Sequence, residues 1–253
     1  MGMIGKPPIV PALKEAGALG DIRARGRWVL AATILGSSMA YIDGTAINVA
    51  LPALQDKLGA TITQVQWVIE IYSLFLAALI LVGGALGDRY GRKLVYGTGI
   101  ALFAAASIMC GLSQSVHQLI AFRALQGVGG ALLIPGSLAI ISVYFGPSER
   151  GKAIGTWGAF SAITTAVGPI LGGWLIEHVS WRWIFFINVP IAVAVLAVLA
   201  AKVPESRGGA HDREIDFTGA ALATLGLGGI VFGLIESANL GFGSPIVIGS
   251  LVL

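Results

Sequence analysis

The chain alternates long apolar segments with short polar connections. The apolar segments lie near residues 28–52, 67–87, 94–112, 118–144, 153–177, 183–201 and 217–236, and an eighth begins near residue 245. Each complete segment has about the 20 residues that a helix needs to cross the hydrocarbon core of a bilayer. The pattern therefore predicts an all-α, polytopic membrane protein.

Positive charges indicate how this helical chain is oriented. If the N-terminus is cytoplasmic, thirteen of the sixteen Lys and Arg residues fall in inner segments, within residues 1–27, 88–93, 146–152 and 202–216. Lys57 and Arg182 fall in outer loops, and Arg123 lies inside a span. Because Lys and Arg concentrate in cytoplasmic loops, the sequence predicts a multi-pass protein of the inner (plasma) membrane with a cytoplasmic N-terminus.

The segments divide the chain into four parts. We predict a cytoplasmic tail at 1–27, a six-helix bundle at 28–201, a cytoplasmic linker at 202–216, and a seventh helix with the start of an eighth at 217–253. The first apolar run continues past Asp43 to Pro52, which favours an uncleaved helix over a signal peptide. The eighth segment has about nine residues, too few to cross a core of roughly 30 Å. We therefore expect the chain to be a portion of a longer protein.

Composition supports the membrane assignment and excludes several classes of function. The chain is 56% hydrophobic and 11% charged, with a mean hydropathy of +0.85, whereas soluble domains carry about 25% charged residues. Its net charge of +3 resides in loops between spans, so it does not indicate nucleic acid. One cysteine gives no disulfide framework, and three histidines show no metal-ligand spacing. No nucleotide-binding motif is present, so we predict no cofactor and no enzymatic activity.

The connection from Gly84 to Lys93 combines polar residues with glycines between two apolar spans. It contains one acid, Asp88, and the bases Arg89 and Arg92 as well as Lys93. Glycines such as Gly84 and Gly91 allow two helix ends to approach closely and the chain to turn sharply. The simpler interpretation is an ordinary cytoplasmic loop whose bases only fix the topology.

Asp43 is an acidic residue inside the first predicted span. A carboxylate at that depth is costly, so we expect it to face protein or water rather than lipid. In such surroundings a carboxylic acid holds its proton near neutral pH, which suits it to carry a proton. The alternative is a structural acid that is paired permanently with a base.

Arg123 supplies a candidate base in the fourth span. Arg123, Gln126, Gly127 and Gly130 are spaced to lie on one helix face. Counting about 1.5 Å per residue places both Asp43 and Arg123 roughly 9 Å below the outer face of the core. We therefore predict that these opposite charges act together.

Two further features of the spans have alternative interpretations. Glu70 lies near the start of the second span and either reaches the outer interface or contributes to a cation site. The fifth span carries small residues at steps of three and four, including Gly168, Gly172 and Gly173, and Pro169 frees a backbone carbonyl. Generic tight packing also explains this stripe.

Taken together, these stretches resemble signatures of the major facilitator superfamily, in its fourteen-helix drug:proton antiporter branch. Residues 84–93 are similar to the loop G-x-L-(A/G)-D-R-x-G-R-K/R, and residues 43–52 resemble D-x-T-x-x-N-x-A-L-P of the first helix. Residues 119–131 are similar to L-x-x-x-R-x-x-Q-G-x-G-x-A of the fourth helix. Residues 164–173 resemble G-x-x-x-G-P-x-x-G-G, with Thr164 replacing the leading glycine, and residues 181–190 resemble W-R-W-x-F-x-I-N-x-P.

The resemblance implies a facilitator-type N-terminal bundle of two inverted three-helix repeats around a midplane cavity. It implies proton-coupled efflux of hydrophobic or cationic drugs and toxic compounds, with Asp43 and Arg123 in proton coupling. Asn48, Glu70 and Gln126 would line the substrate cavity. Residues of the conformational motifs would be Gly84, Asp88, Arg89, Gly91, Arg92, Lys93, Gly168, Pro169, Gly172 and Gly173.

The implied partners are a small-molecule substrate, protons and the lipid bilayer, with no nucleic acid. In a Gram-negative cell, a membrane-fusion adaptor would be a further partner. Two other functions fit the same fold, namely export of one specific metabolite, or a sensor or scaffold that transports nothing. An integral-membrane enzyme would need a catalytic cluster, and the sequence contains no such grouping.

Overall fold

A computed structural model describes residues 9–207 and 217–252, which form nine helices and no strand. The helices are α1 (Ile9–Leu58), α2 (Ile62–Tyr90), α3 (Arg92–Leu112), α4 (Val116–Tyr144), α5 (Pro147–His178), α6 (Trp183–Phe186), α7 (Asn188–Lys202), α8 (Phe217–Leu240) and α9 (Pro245–Val252). The predicted all-α class is confirmed.

Six helical stretches are long and apolar enough to cross a membrane. They are Gly26–Leu58, Ile62–Tyr90, Arg92–Leu112, Val116–Tyr144, Pro147–His178 and Trp183–Lys202. Each of the six predicted spans of the bundle lies within one of these stretches, so the predicted polytopic architecture is confirmed. Residues 1–8 of the predicted tail and 208–216 of the predicted linker lie outside the described residues. The cytoplasmic placement of tail and linker remains a prediction.

The first span is longer than predicted at its C-terminal end. α1 continues through Pro52 to Leu58, since a membrane helix tolerates a proline when its neighbours satisfy the freed backbone group. The chain then turns at Gly59, whose φ is 62°, and α2 begins with a capping box in which Thr61 accepts from the Gln64 N–H at 3.2 Å. The second span was predicted to begin near residue 67, which would place Glu70 one turn inside it. Because α2 begins at Ile62, Glu70 lies about two turns inside the helix.

The sixth span is interrupted where a continuous helix was predicted. α6 ends at Phe186 and α7 begins at Asn188. Pro190, the third residue of α7, has no N–H to donate to the carbonyl one turn earlier. The interruption places Asn188 at the start of a helix, in the interior of the bundle.

α4 lies at the centre of the bundle, packed against α2 on one side and α3 on the other, while α1 packs along α5. Glycines permit this close packing. A Cβ at Gly127 would lie 2.6 Å from the Tyr72 carbonyl oxygen on α2, and a Cβ at Gly129 would lie 2.7 Å from the Phe103 nitrogen on α3. α8 packs against α2, where Trp67 donates to Glu236 at 3.2 Å.

The apolar interior consists of two clusters of buried residues. The first apolar cluster includes Val29, Met39, Ala40, Tyr96, Phe103, Ala104, Leu133, Ala192 and Leu199. The second apolar cluster includes Ala46, Leu54, Val68, Cys110, Leu119, Trp181 and Phe185. Both are formed by side chains from α1, α2, α3 and α4 and from the α6–α7 segment.

A polar layer separates these clusters on several helices. On α1, Asp43 lies between Ala40 of the first apolar cluster and Ala46 of the second. The same order holds on α3 with Ala104, Ser107 and Cys110, and along α6 and α7 with Phe185, Asn188 and Ala192. The fold therefore encloses Asp43, Ser107 and Asn188 between two clusters of apolar residues.

Candidate functional site

The polar layer contains five side chains from four helices, and all five residues are 0% exposed. They are Asp43 on α1, Ser107 on α3, Arg123 and Gln126 on α4, and Asn188 on α7. A buried polar group is expensive unless it is hydrogen-bonded, and a buried charge must also be paired. The contacts within this polar cluster therefore decide whether the bundle can hold it.

Arg123 is compensated on several sides. Its Nη1 donates to Asp43 Oδ2 and, at 2.8 Å, to Gln126 Oε1. Its Nε donates to the Val68 carbonyl at 3.0 Å, and the guanidinium carbon lies 4.2 Å from the centroid of the Tyr72 ring. The proximity of Asp43 and Arg123 expected from the depth count is present, while their role in proton coupling remains a prediction.

Asp43 receives donors at both carboxylate oxygens. Besides Arg123 at Oδ2, its Oδ1 accepts from Gln126 Nε2 at 2.8 Å and from Asn188 Nδ2 at 3.2 Å. A protonated carboxyl would have to donate one hydrogen bond, and each of these partners is itself a donor. In this arrangement Asp43 therefore acts only as a hydrogen-bond acceptor.

Sequence reasoning missed three contributors to this polar cluster. Ser107 lies in an otherwise apolar span, and Asn188 appears only within the motif at residues 181–190. Tyr72, whose ring lies against Arg123, was not singled out. The available signal was a polar residue in the middle of an apolar span, and it applies to Ser107 and, because the sixth span is interrupted, to Asn188.

The three predicted cavity residues do not come together. Gln126 lies in the polar cluster, whereas Asn48 is exposed and its Nδ2 donates to the Gly44 carbonyl of its own helix at 3.2 Å. Glu70 is half-buried and makes no hydrogen bond or ion pair with any residue that the structure describes. Their assignment to a substrate cavity remains a prediction.

The single thiol of the chain is also buried in this region. Cys110 is 0% exposed, and its Sγ lies 3.7 Å from Gln126 Oε1. In the part of the chain that the structure describes, no three His, Cys, Asp or Glu side chains are grouped as metal ligands.

The α2–α3 connection contains a second acid–base pair. Arg92 donates to Asp88 Oδ1 through Nε at 2.9 Å and Nη2 at 2.7 Å. Glu205, which follows α7, accepts from the backbone N–H groups of Lys93 at 2.9 Å and Leu94 at 3.0 Å. It therefore caps the N-terminus of α3. This contact was not predicted from the sequence.

The other glycines and bases of the connection have separate contacts. Gly91 has a φ of 123°, and a Cβ there would lie 2.7 Å from the Glu205 carboxyl carbon. The Arg89 guanidinium lies 5.6 Å from the Tyr90 ring centroid. Gly84 lies opposite Pro135 on α4, and a Cβ added at Gly84 would lie 3.9 Å from the Pro135 Cβ.

The fifth-span motif divides into two groups. Gly168 and Gly172 are buried against α1; a Cβ at Gly172 would lie 3.0 Å from Ala46 Cβ, and one at Gly168 would collide with Thr45 Oγ1. Pro169 is exposed, and a Cβ at Gly173 would meet only Val49 among the described residues, at 3.8 Å. The motif therefore packs against α1 through Gly168 and Gly172.

Comparison with known proteins identifies the family. The sequence profile described as the Major Facilitator Superfamily matches residues 33–252. The chain belongs to the Major Facilitator Superfamily. The family predicted from the motifs is confirmed, and membership indicates a membrane transporter rather than an enzyme.

Two relatives within this superfamily are resistance proteins. The chain is 39% identical to the puromycin resistance protein pur8 of Streptomyces alboniger, over 99% of this chain and 50% of that protein. It is 38% identical to the tetracenomycin C resistance and export protein of Streptomyces glaucescens, over 90% of this chain and 43% of that protein. The chain thus spans about half the length of the curated relatives that it matches.

A solved structure supports the facilitator fold independently. The peptide transporter POT in complex with sulfate superposes with a TM-score of 0.64 over 90% of this chain and 49% of that one. The sequence identity is 19%, so the likeness concerns the fold alone.

Proposed function

We propose that the protein is a secondary active transporter that exports hydrophobic or cationic drugs and toxic compounds in exchange for protons. The observation that carries the proposal is the fully buried pair of Asp43 and Arg123. Intramembrane ionisable residues are costly and mark proton or ion pathways in transporters. The resistance and export functions in the relatives' names support the direction of transport.

The polar cluster supports a proton-exchange mechanism. With Arg123 in contact, both carboxylate oxygens of Asp43 accept hydrogen bonds. If α4 moves relative to α1 during alternating access, Arg123 withdraws and Oδ2 can take a proton from water on the side that has opened. When the contact re-forms, the proton leaves Asp43 for water on the other side. The two apolar clusters prevent both sides from reaching Asp43 at once.

The proposed cavity residues and the relatives' names support hydrophobic or cationic compounds as the substrates. Glu70 offers a half-buried carboxylate without an ion-pair partner among the described residues, which suits a cationic group. Asn48 offers an exposed amide, and Gln126, which is buried, donates to Asp43 at 2.8 Å. A substrate that reached Gln126 would disturb this contact, so drug and proton would compete at Asp43.

Export of one specific metabolite is the second candidate. One relative carries the name of one compound, as the tetracenomycin C resistance and export protein. A panel of chemically unrelated compounds separates the two functions, because a multidrug exporter transports several of them and a metabolite exporter transports one.

We further propose that the protein lies in the inner (plasma) membrane with its N-terminus in the cytoplasm, and that in a Gram-negative cell it works with a membrane-fusion adaptor. The charge bias of the loops supports the orientation. Gln114 and Ser148 are both exposed and lie at opposite ends of α4. Because Cys110 is buried, an impermeant thiol reagent on whole cells should label Gln114→Cys and spare Ser148→Cys. The reverse labelling would overturn the orientation.

The transport proposal is tested in proteoliposomes that contain the full-length protein. An imposed pH gradient should drive substrate exchange by the wild-type protein, which a sensor or scaffold would not show. Asp43→Asn should insert and bind substrate but lose pH-driven exchange, whereas Asp43→Glu should retain part of it. Asp56→Asn is the matched control, because Asp56 lies on the same helix but is exposed and pairs with Lys57 at 3.0 Å. Full proton-coupled export by Asp43→Asn would show that Asp43 is not the carrier.

A further inference from the structure

We propose that Ser107 and Asn188 are positioning residues that set the pH at which Asp43 exchanges its proton. This inference rests on the proposed proton-coupled function and adds two residues to it. Neither residue carries a charge, and both contact the polar cluster from helices other than those of Asp43 and Arg123.

The hydrogen of Ser107 has a fixed destination. Ser107 Oγ lies 2.8 Å from the Phe185 carbonyl oxygen, which can only accept. Ser107 therefore donates to Phe185, and its Oγ is left as an acceptor towards the polar cluster. It accepts from Asn188 Nδ2 at 2.9 Å and from Gln126 Nε2 at 3.4 Å.

This direction of donation fixes the orientation of the Asn188 amide. An amide nitrogen has two hydrogens, and Asn188 directs one to Ser107 and the other to Asp43 Oδ1. If this amide were rotated, its oxygen would face Ser107 Oγ and Asp43 Oδ1, both of which are acceptors here. Gln126 makes the same two contacts, but its orientation is also fixed by Arg123, which donates to its Oε1.

Packing does not account for an asparagine at position 188. Its Oδ1 is buried and has no hydrogen-bond partner among the described residues, which is unfavourable in a protein interior. A leucine has a similar size and would avoid that unfavourable burial. The feature that a leucine could not supply is the N–H donated to Asp43.

Few charged or titratable groups face Asp43, so the uncharged amides are the contacts through which its proton affinity can be adjusted. α4 presents Arg123, α2 presents Tyr72, and α3 presents Cys110. The α6–α7 segment presents only Asn188 of its polar side chains, and the titratable residues of α5 lie at its ends, within 149–152 and 177–178. On α2, Glu70 makes no bond to the polar cluster. Because Arg123 already balances the single negative charge, loss of an amide donor changes the proton affinity of Asp43 without changing the net charge.

Two substitutions in the full-length protein test the inference. Asn188→Leu removes one donor to the carboxylate, so the proton is retained to higher pH; the pH of half-maximal exchange should rise by about one unit. Ser107→Ala releases the Asn188 amide, while Gln126 is still held by Arg123 at Oε1, and should shift the profile in the same direction by about half a unit. Ser137→Ala is the matched control, because Ser137 is equally buried but donates to the Ile134 carbonyl of its own helix at 2.7 Å. Its profile should coincide with that of the wild type.

The outcomes separate this inference from the proposed function. If the wild type exchanges substrate against protons and Asp43→Asn does not, but Ser107→Ala and Asn188→Leu keep the wild-type pH profile, the positioning role is wrong and the transport proposal stands. If the wild type shows no pH-driven exchange, the transport proposal itself fails. If Asn188→Leu does not insert, Ser107→Ala decides alone: a shifted profile supports the inference and an unshifted one overturns it.

Discussion

Among the residues that the structure describes, two aspartate–arginine pairs lie in very different surroundings. Asp88 and Arg92 lie four residues apart at the α2–α3 connection, where their side chains are 49% and 16% exposed. Asp43 and Arg123 are 80 residues apart, on different helices, and both side chains are 0% exposed. The chemistry of the two pairs is the same, but water stabilises the first pair, and only the protein stabilises the second.

This difference explains why the buried pair has so many partners. An exposed pair contributes little to stability and needs no further support. A buried pair must recover the desolvation of two charges, which requires good geometry and satisfaction of the remaining donors and acceptors. Gln126, Asn188 and the Val68 carbonyl provide most of those contacts around Asp43 and Arg123. Arg123 Nη2 has no hydrogen-bond partner among the described residues, and the Tyr72 ring lies against the guanidinium group. Such a site is held firmly only while the helices remain in place, so helix motion can switch it.

The largest contrast is expected when the arginine of each pair is replaced. Arg123→Met leaves a buried carboxylate without its counter-ion and should destabilise the full-length protein by about 3–5 kcal/mol. Arg92→Met should cost less than about 1 kcal/mol. Thermal unfolding in detergent measures both variants. Equal shifts in the midpoint would show that the burial of the first pair has no energetic consequence.

The next largest loss of stability is expected for substitutions at the α1–α5 contact, which holds α1 at the polar cluster. A side chain at Gly172 enters the α1–α5 contact at Ala46, so Gly172→Val should cost about 1–3 kcal/mol through overpacking. Gly173→Val is its matched control, because Gly173 meets only Val49 at ordinary contact distance. The same unfolding measurement applies. Similar losses in both variants would remove the distinction between packed and open glycines in this motif.

A substitution at Gly91 disturbs the exposed region without touching the buried pair. Gly91→Leu forces a side chain into a left-handed backbone and against Glu205, at a cost of about 1–2 kcal/mol. We expect normal insertion, measured by membrane yield, together with reduced export. Wild-type turnover in Gly91→Leu would leave the connection as a topology signal only.

The smallest effect on stability is expected for Asp88→Asn. It weakens one pair between neighbouring turns, which is worth about 0.3–0.5 kcal/mol. We expect an unchanged unfolding midpoint and reduced export, because the role proposed for this motif is in the movement of the bundle and not in its folding. Parallel measurement of unfolding and export separates the two. A large drop in the midpoint would place Asp88 among the stabilising residues instead.

Sequence reasoning reached the parts of the structure that depend on local patterns. Apolar length predicted the spans, and a depth count along two helices placed Asp43 opposite Arg123. The sequence did not predict contacts between segments far apart in the chain, such as those of Glu205 with the start of α3 and of Asn188 with Asp43. Those contacts depend on how α6 and α7 pack after an interruption, and residue spacing carries no information on that packing.

The most direct measurement of the central claim is proton release on substrate binding to the purified full-length protein in weakly buffered solution. If substrate and proton compete through Asp43, the wild type should release up to one proton per substrate bound at a pH below that of half-maximal exchange, since a single carboxyl group is involved. Asp43→Asn should bind substrate and release none, while the exposed control Asp56→Asn should behave as the wild type. Equal proton release by Asp43→Asn and the wild type would contradict the account.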